Sequence, residues 1–393
     1  MKILMICDYG SKYGGDLTYI VNLKEGLEKK GFVVKIFSSD THMGEKKFSD
    51  YEFKGFSETS IFKGLYYIFN PFSYLKLNKL LKEFKPDIIH LHNIFYQVSF
   101  SILLLLKNTP TVMTIHSYEL ICPNVIMLSP SKSRNICKTV IGRNCRKCIG
   151  IKYYYHKFRL AIYKRLSRNV DTFISNSKYT QDIIEKCGIK PVQKIYCGIK
   201  LFKYSKMEKS DNLLFAGRLA KEKGAEYLIK AMPLIIKKIS TVHLDIVGDG
   251  DEKHRLEILT KELNLENNVT FIGSILYSEV EKYYKKANIV IVTSVWPEPF
   301  GLIGSEAMSV GRPVIGTKVG GIPEWLEDGE TGYLVEPGDP KQIAENVIKL
   351  LSDRKLMEKI GRNAMEKAKR FNIKKHVEEI EKVYKNVIEK YKT

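Results

Sequence analysis

A chain of 393 residues exceeds what one hydrophobic core usually supports, so two domains are expected. Hydrophobic residues at 44% and aromatics at 11% suffice for packed cores and exclude a disordered chain. The net charge of +20 is lopsided: residues 1–200 carry 32 Lys and Arg against 15 Asp and Glu, residues 201–393 carry 32 against 29, so the first half presents a basic field to a partner.

The N-terminal "MKILMICD" runs straight into a short apolar stretch and lacks the basic lead and cleavage site of a secretory signal. Nothing approaches the ~18 apolar residues of a spanning helix; "FSILLLLKN" comes nearest and ends at Lys107. A cytoplasmic protein is expected, with any membrane contact peripheral, at the inner face of the membrane. Buried strands are predicted at "KILMIC", "FVVKIFSS", "DIIHLH", "TVMTIH" and "TFISNS", separated by lengths suited to helices. Gly14-Gly15 stands between the first strand and an amphipathic helix. Such glycines allow close backbone approach to a phosphate at a helix N-terminus, or simply a tight turn. Neither a GxGxxG fingerprint nor a Walker lysine accompanies them.

Four cysteines, Cys122, Cys137, Cys145 and Cys148, fall close together, the last two as "CRKC". That spacing suits a four-cysteine structural zinc site, which would order a loop poor in apolar residues. Disulfides, an iron–sulfur cluster or unconnected thiols are the alternatives. Directly afterwards, "IKYYYHKFRLAIYKRLSRNV" interleaves Tyr and Phe with Lys and Arg on a helix-compatible pattern. It suits either an anionic membrane interface or a core-packing helix with a basic outer face. No recognised nucleic-acid module is present, so no nucleic acid is expected as a partner.

A polar stretch, "GIKLFKYSKMEKSDN", separates a second series: "NLLFAG", "VHLDIVG", "VTFIGS", "IVIVTS", "PVIGT" and "GYLVEP". Domain limits of 1–203 and 204–370 follow. The C-terminal segment 371–393, with apolar residues at helical spacing, is expected to return to the first domain. Two series of strands alternating with helices predict an α/β protein of two doubly wound Rossmann-like domains facing a central cleft, with ligands at the carboxyl ends of strands.

Arg218 and Lys223 in "GRLAKEKG" follow a strand and could converge on a diphosphate, one as a fork and one as a point charge. Asp249 and Asp251 in "GDGDE" read as a strand-end turn. In "WPEPFGLIGSEA", Pro297 and Pro299 bracket Glu298 and keep it out of a helix, which should begin near Gly301 and Leu302 and hold Glu306 about one turn inside. The backbone N–H groups of Phe300, Gly301 and Leu302 would then offer an anion site, with a glutamate on either side. A glycosidase pair would need two carboxyls facing one bond at roughly 5–9 Å, which a flanked anion site fits poorly.

Glu298 and Glu306, followed by "MSVGRPVIGTKVGGIPEWLEDGETGYLVEPGD", resemble the donor site of retaining glycosyltransferases of the GT-B-fold family 4 (glycosyl transferases group 1). "GRLAKEKG" and Gly14-Gly15 resemble that family's phosphate pair and front glycine loop, so the likeness covers essentially the whole chain and is densest over 213–340. The resemblance implies a nucleotide-diphosphate-sugar donor, held by the second domain, and a glycan or lipid-linked acceptor on the first. It gives Arg218, Lys223 and the N–H groups near Phe300–Leu302 to the diphosphate, Glu298 to the sugar, Glu306 to the ribose and His116 to the neighbourhood of the reacting sugar. By itself His116 reads as a polar residue at a strand end. No catalytic metal is expected. The sequence departs from the family's Asn-Gly-Ile-Asp run at "YCGIK", where Cys197 and Lys200 replace two polar residues. A sugar-nucleotide epimerase and a basic non-catalytic membrane- or nucleic-acid-binding scaffold are the competing readings.

Overall fold

The computed structural model describes residues 1–10, 14–41, 47–57, 59–128, 137 and 145–392. It divides into two compact units, Met1–Gly198 with Ile373–Thr393, and Ile199–Asn372.

Unit 1 is built on seven strands: β1 (Lys2–Tyr9), β2 (Val33–Ser39), β3 (Tyr51–Phe53), β4 (Ile88–Leu91), β5 (Thr111–Ile115), β6 (Thr172–Ser175) and β7 (Val192–Lys194). They form one parallel sheet in the order β3-β2-β1-β4-β5-β6-β7. Strands β4 and β5 are buried at every residue, which is why they read as unbroken apolar runs rather than alternating ones. The strand order reverses between β1 and β4, so their carboxyl ends open a crevice. Buried Asp8 shapes it, its carboxylate accepting from the backbone N–H groups of Phe95, Tyr96 and Val98 at 3.0, 3.1 and 2.7 Å.

The helix Ile373–Glu389 belongs to this unit and is held by polar anchors in a buried setting. His376 bonds the Tyr19 hydroxyl at 2.9 Å and the Tyr196 carbonyl at 2.7 Å, and Tyr384 bonds His90 at 2.6 Å. Val377 fits against Gly26, where an added Cβ would lie 2.5 Å from Val377 Cγ2.

Unit 2 repeats the scheme with β8 (Asn212–Ala216), β9 (His243–Val247), β10 (Val269–Gly273), β11 (Ile289–Val292), β12 (Val314–Thr317) and β13 (Gly332–Val335). The parallel order β10-β9-β8-β11-β12-β13 again reverses beside its first strand, between β8 and β11. Leu213, Phe215, Leu244, Ile246, Ile289 and Ile291 carry its core against the helix Ala225–Ile236.

Two differences from the sequence reading have local causes. The chain leaves unit 1 after Gly198, ahead of the expected 203/204 limit, because Ile199 N–H donates to the Phe371 carbonyl at 2.8 Å and ties both segments to unit 2. Edge strands β3 and β7 escaped prediction because three residues each are too few to show a period.

Candidate active site

The switch point of unit 2 carries the second-domain residues singled out in the sequence. Arg218 and Lys223 lie in the turn leaving β8, and Glu298 lies in the loop leaving β11. The two loops are stitched by hydrogen bonds: Val295 N–H donates to the Glu222 carbonyl at 2.9 Å, and the Thr293 hydroxyl to the Lys223 carbonyl at 2.9 Å. Gly224 (φ +66°) permits that approach, since a Cβ there would stand 2.2 Å from the Thr293 carbonyl oxygen.

Lys223 Nζ donates to both oxygens of Glu298, at 3.0 and 2.7 Å, and lies 5.3 Å from the centroid of the Trp296 ring. The Ser294 hydroxyl and Trp296 Nε1–H donate to Glu298 Oε2 at 2.8 and 2.9 Å. Burial alone would raise this carboxyl. The Lys223 charge and these donors outweigh it and hold Glu298 below the usual carboxylate range. A carboxylate so fully engaged orients a ligand better than it attacks one. Its backbone is clamped by Gly321 N–H, which donates to the Glu298 carbonyl at 2.8 Å, and by Gly320 (φ +56°), where a Cβ would stand 2.1 Å from that oxygen.

The helix after the loop runs Leu302–Ser309, with Gly301 (φ 91°) as its N-cap. No side chain caps it among the described residues, so its first N–H groups stay open to an anion. Trp325 fixes the approach: its Nε1–H donates to the Phe300 carbonyl at 2.6 Å, and its ring fills the space a Cβ on Gly304 would take, 2.1 Å away. Glu306 lies inside the helix, buried, accepting from the hydroxyls of Tyr277 at 2.6 Å and Tyr284 at 3.0 Å. Burial pushes it up to about 7 in spite of these donors. The two glutamates are thus in opposite electrostatic settings: Glu298 is held ionised by a cation, and Glu306 has only neutral phenols. Arg218 pairs with Glu222 through Nη2 and keeps over half its side chain exposed, leaving further N–H groups for a ligand. Asp249 and Asp251 occupy the turn after β9, where Asp249 Oδ1 accepts from the Gly250 N–H at 2.7 Å.

In unit 1, Gly14 (φ 96°) is the N-cap of the helix Gly15–Glu28, whose Asp16 accepts from Asn93 Nδ2. His116 follows β5 and bonds His92 Nδ1 through Nε2 at 3.1 Å, with the Tyr19 ring edge-on at 5.0 Å. Burial, then the neighbouring His376, pushes His116 down to about 3, so it is a neutral imidazole.

Sequence reasoning missed the supporting residues: Ser294 and Trp296 on Glu298, Tyr277 and Tyr284 on Glu306, Glu222 on Arg218, and His92 on His116. Only His92 left a visible signal, the alternating "HLH" that ends β4. The four cysteines are free thiols, and the described residues hold no group of three or more His, Cys, Asp or Glu arranged for a metal. Burial, with Cys137 and Cys145 adding, pushes the Cys122 thiol up to about 11, and the same two thiols raise Cys148 beyond its burial. Residues 129–136 and 138–144 of that loop lie outside the described residues. No helix among the described residues is long and apolar enough to cross a membrane.

Two doubly wound sheets, each with its polar groups at the reversal of strand order, define a two-domain α/β protein of the glycosyltransferase GT-B type. The profile described as "Glycosyl transferases group 1" matches residues 199–367 and "Glycosyltransferase Family 4" matches residues 13–201, and the chain belongs to this family. Two Methanocaldococcus jannaschii proteins described as uncharacterized glycosyltransferases are similar. One is 41% identical over 39% of this chain and 38% of its own, the other 27% identical over 98% and 99%. N-acetyl-alpha-D-glucosaminyl L-malate synthase of Bacillus anthracis is 34% identical over 47% of this chain and 48% of its own, so two of these three alignments span under half of the relative. Among solved structures, sucrose-phosphate synthase from Thermosynechococcus elongatus superposes with a TM-score of 0.79 at 24% identity over 98% and 99% of the two chains. The Anabaena protein HepE, solved with UDP-glucose, gives 0.72 at 21% over 98% and 100%. At these identities the solved structures establish the fold.

Proposed function

We propose that this enzyme is a retaining glycosyltransferase that moves a sugar from a nucleotide-diphosphate-sugar to a glycan or lipid-linked acceptor of anionic character. One observation carries the reading: Lys223, Glu298 and an uncapped helix N-terminus converge at the switch point of unit 2. In the reaction the bond from the anomeric carbon to the β-phosphate oxygen breaks and its electron pair stays on that oxygen. The acceptor oxygen bonds the same carbon on the same face, and its proton passes to the leaving phosphate. The charge that grows on the diphosphate is what the site opposes, through Lys223, Arg218 and the N–H groups near Phe300–Leu302. An ammonium has three protons, so Lys223 can hold both Glu298 oxygens and still donate to phosphate. Glu298 then takes the sugar hydroxyls and Glu306 the ribose; His116 lies near the reacting sugar, and Gly14-Gly15 let the chain's own backbone approach the ligand closely. With two cations and a helix terminus at the leaving group, the chemistry needs no catalytic metal.

Donor identity is open to a thermal-shift screen, since a ligand that binds only the folded state raises the melting point. UDP-sugars come first, because the Anabaena neighbour was solved in complex with UDP-glucose. Glu298→Ala and Lys223→Ala should each lower turnover by about 100-fold or more while the protein stays folded. Near-normal turnover in either removes its assigned role, and interconversion of the donor without release of nucleotide points to an epimerase instead. A structural zinc at Cys122, Cys137, Cys145 and Cys148 is proposed on their spacing in the sequence alone, since among the described residues the thiols are not gathered into a set of three or more. Protein purified without added zinc should hold about one equivalent, and under half an equivalent overturns this.

A further inference from the structure

We propose that unit 1 carries a docking face for an anionic lipid bilayer, assembled from residues 61–75 and the outer side of the helix Lys152–Leu166. It deepens the acceptor reading by naming the surface that would bring the enzyme to a lipid-linked acceptor.

Large apolar side chains stand in water on both segments: Ile61 and Ile151 are each 89% exposed, Leu65 and Leu75 66%, Tyr154 and Phe158 59%. Scattered exposed hydrophobes need no explanation, but these belong to segments in direct contact. Tyr155 Oη donates to the Gly64 carbonyl at 2.6 Å and Tyr163 Oη to the Tyr67 carbonyl at 3.0 Å, so the helix lies beside the 61–75 segment. The helix turns Leu160 and Tyr163 inward, while Ile151, Tyr154 and Phe158, at helical spacing, face out.

Residues 59–82 contain four Lys and no Asp or Glu, and residues 145–170 contain eight Lys and Arg and no Asp or Glu. Within these two stretches every charged side chain is cationic, with Lys79 paired to Glu83 just beyond the first. Lys63, Lys152, Lys157 and Arg165 are exposed among the apolar groups. Arg146 and Lys157 lie over the rings of Tyr154 and Tyr153 at 5.9 and 6.0 Å, which keeps aromatics and cations on one surface. A second copy of this face would meet it cation to cation. Nucleic acid would use the charge and leave the aliphatic groups in water. A bilayer surface takes both, the aliphatic groups at the acyl boundary and the cations among headgroup phosphates, with tyrosines suited to the interface between.

The test is sedimentation of the full chain with vesicles of phosphatidylcholine alone or with about 30 mol% phosphatidylglycerol, at low and high salt. Neither donor nor acceptor is added, so failure here leaves the transfer reading standing, and loss of turnover in the active-site variants leaves this one standing. The expected result is partition to anionic vesicles at least about tenfold above neutral ones, weakened by salt. The variants Ile61→Ser with Leu65→Ser, and Ile151→Ser with Phe158→Ser, should each lose about tenfold with unchanged melting, because the altered groups are exposed. Lys152→Glu with Lys157→Glu should do the same without removing apolar surface. Equal partition to both vesicle types, or variants that bind like wild type, overturns the proposal. So does self-association in the absence of lipid that the serine variants abolish, which would make the face an interface between copies.

Discussion

Lys223 and Glu298 are a nearly buried ion pair, and breaking it from one side should cost more than removing both charges. In Lys223→Met the carboxylate keeps the Ser294 and Trp296 donors but loses its cation, with its side chain only 11% exposed. One-sided loss of a buried pair costs about 3–5 kcal/mol, and water reaching the quarter-exposed Lys223 side lowers this to roughly 2–3 kcal/mol. Glu298→Gln keeps the shape and leaves a cation nearer to solvent, for roughly 1 kcal/mol. The double variant leaves neither charge stranded, so its loss should fall short of the sum of the singles by at least about 1 kcal/mol. The chain's two tryptophans, Trp296 and Trp325, both lie in unit 2, so tryptophan fluorescence during urea unfolding reports that unit. Additivity within about 0.5 kcal/mol would refute the argument that the lysine is what makes the buried carboxylate tolerable.

Glu306 should impose the opposite pH dependence from an ordinary carboxylate. Its folded value, about 7, lies above the usual 4.5, so the native state keeps a proton the unfolded chain has lost. Stability from this group is complete below the usual value and falls as pH rises towards about 7. Glu306→Gln should flatten the unit 2 urea midpoint across that window, and a parallel pH curve would refute it. In unit 1 the buried His376 is pushed down to about 4 by burial, with His90 and His92 also well below their usual value. Their stability contribution is present above the ordinary histidine value and is lost as pH falls below it. Hydrogen-exchange protection of the helix Ile373–Glu389, measured relative to the intrinsic exchange rate at each pH, should therefore fall on acidification, and less so in His376→Gln. Gly320→Ala should lose about 2 kcal/mol or more and most turnover, because both its positive φ and the Glu298 carbonyl exclude a Cβ. Wild-type melting in that variant would show the clamp to be soft.

Much of the fold was legible because its strands are buried on both faces and so appear as compact apolar runs. All eleven predicted runs are strands, and the prolines around Glu298 and the glycine after them marked where the helix Leu302–Ser309 begins. Glu298 and Glu306 alone looked like equals, two carboxylates on one short stretch. What separates them arrives from elsewhere in the chain. Lys223 reaches Glu298 from the turn after β8, and Tyr277 and Tyr284 reach Glu306 from the region before β11. Likewise residues 61–75 and the helix Lys152–Leu166 lie side by side only because of the fold. The strand series, the glycine turns and the residues able to bind phosphate could be read from the chain alone, since these depend on local periodicity and backbone freedom. Tertiary structure decided which carboxylate is charged, which histidine is held neutral and which apolar groups share a face, because burial and electrostatic partners are set by residues distant in the chain.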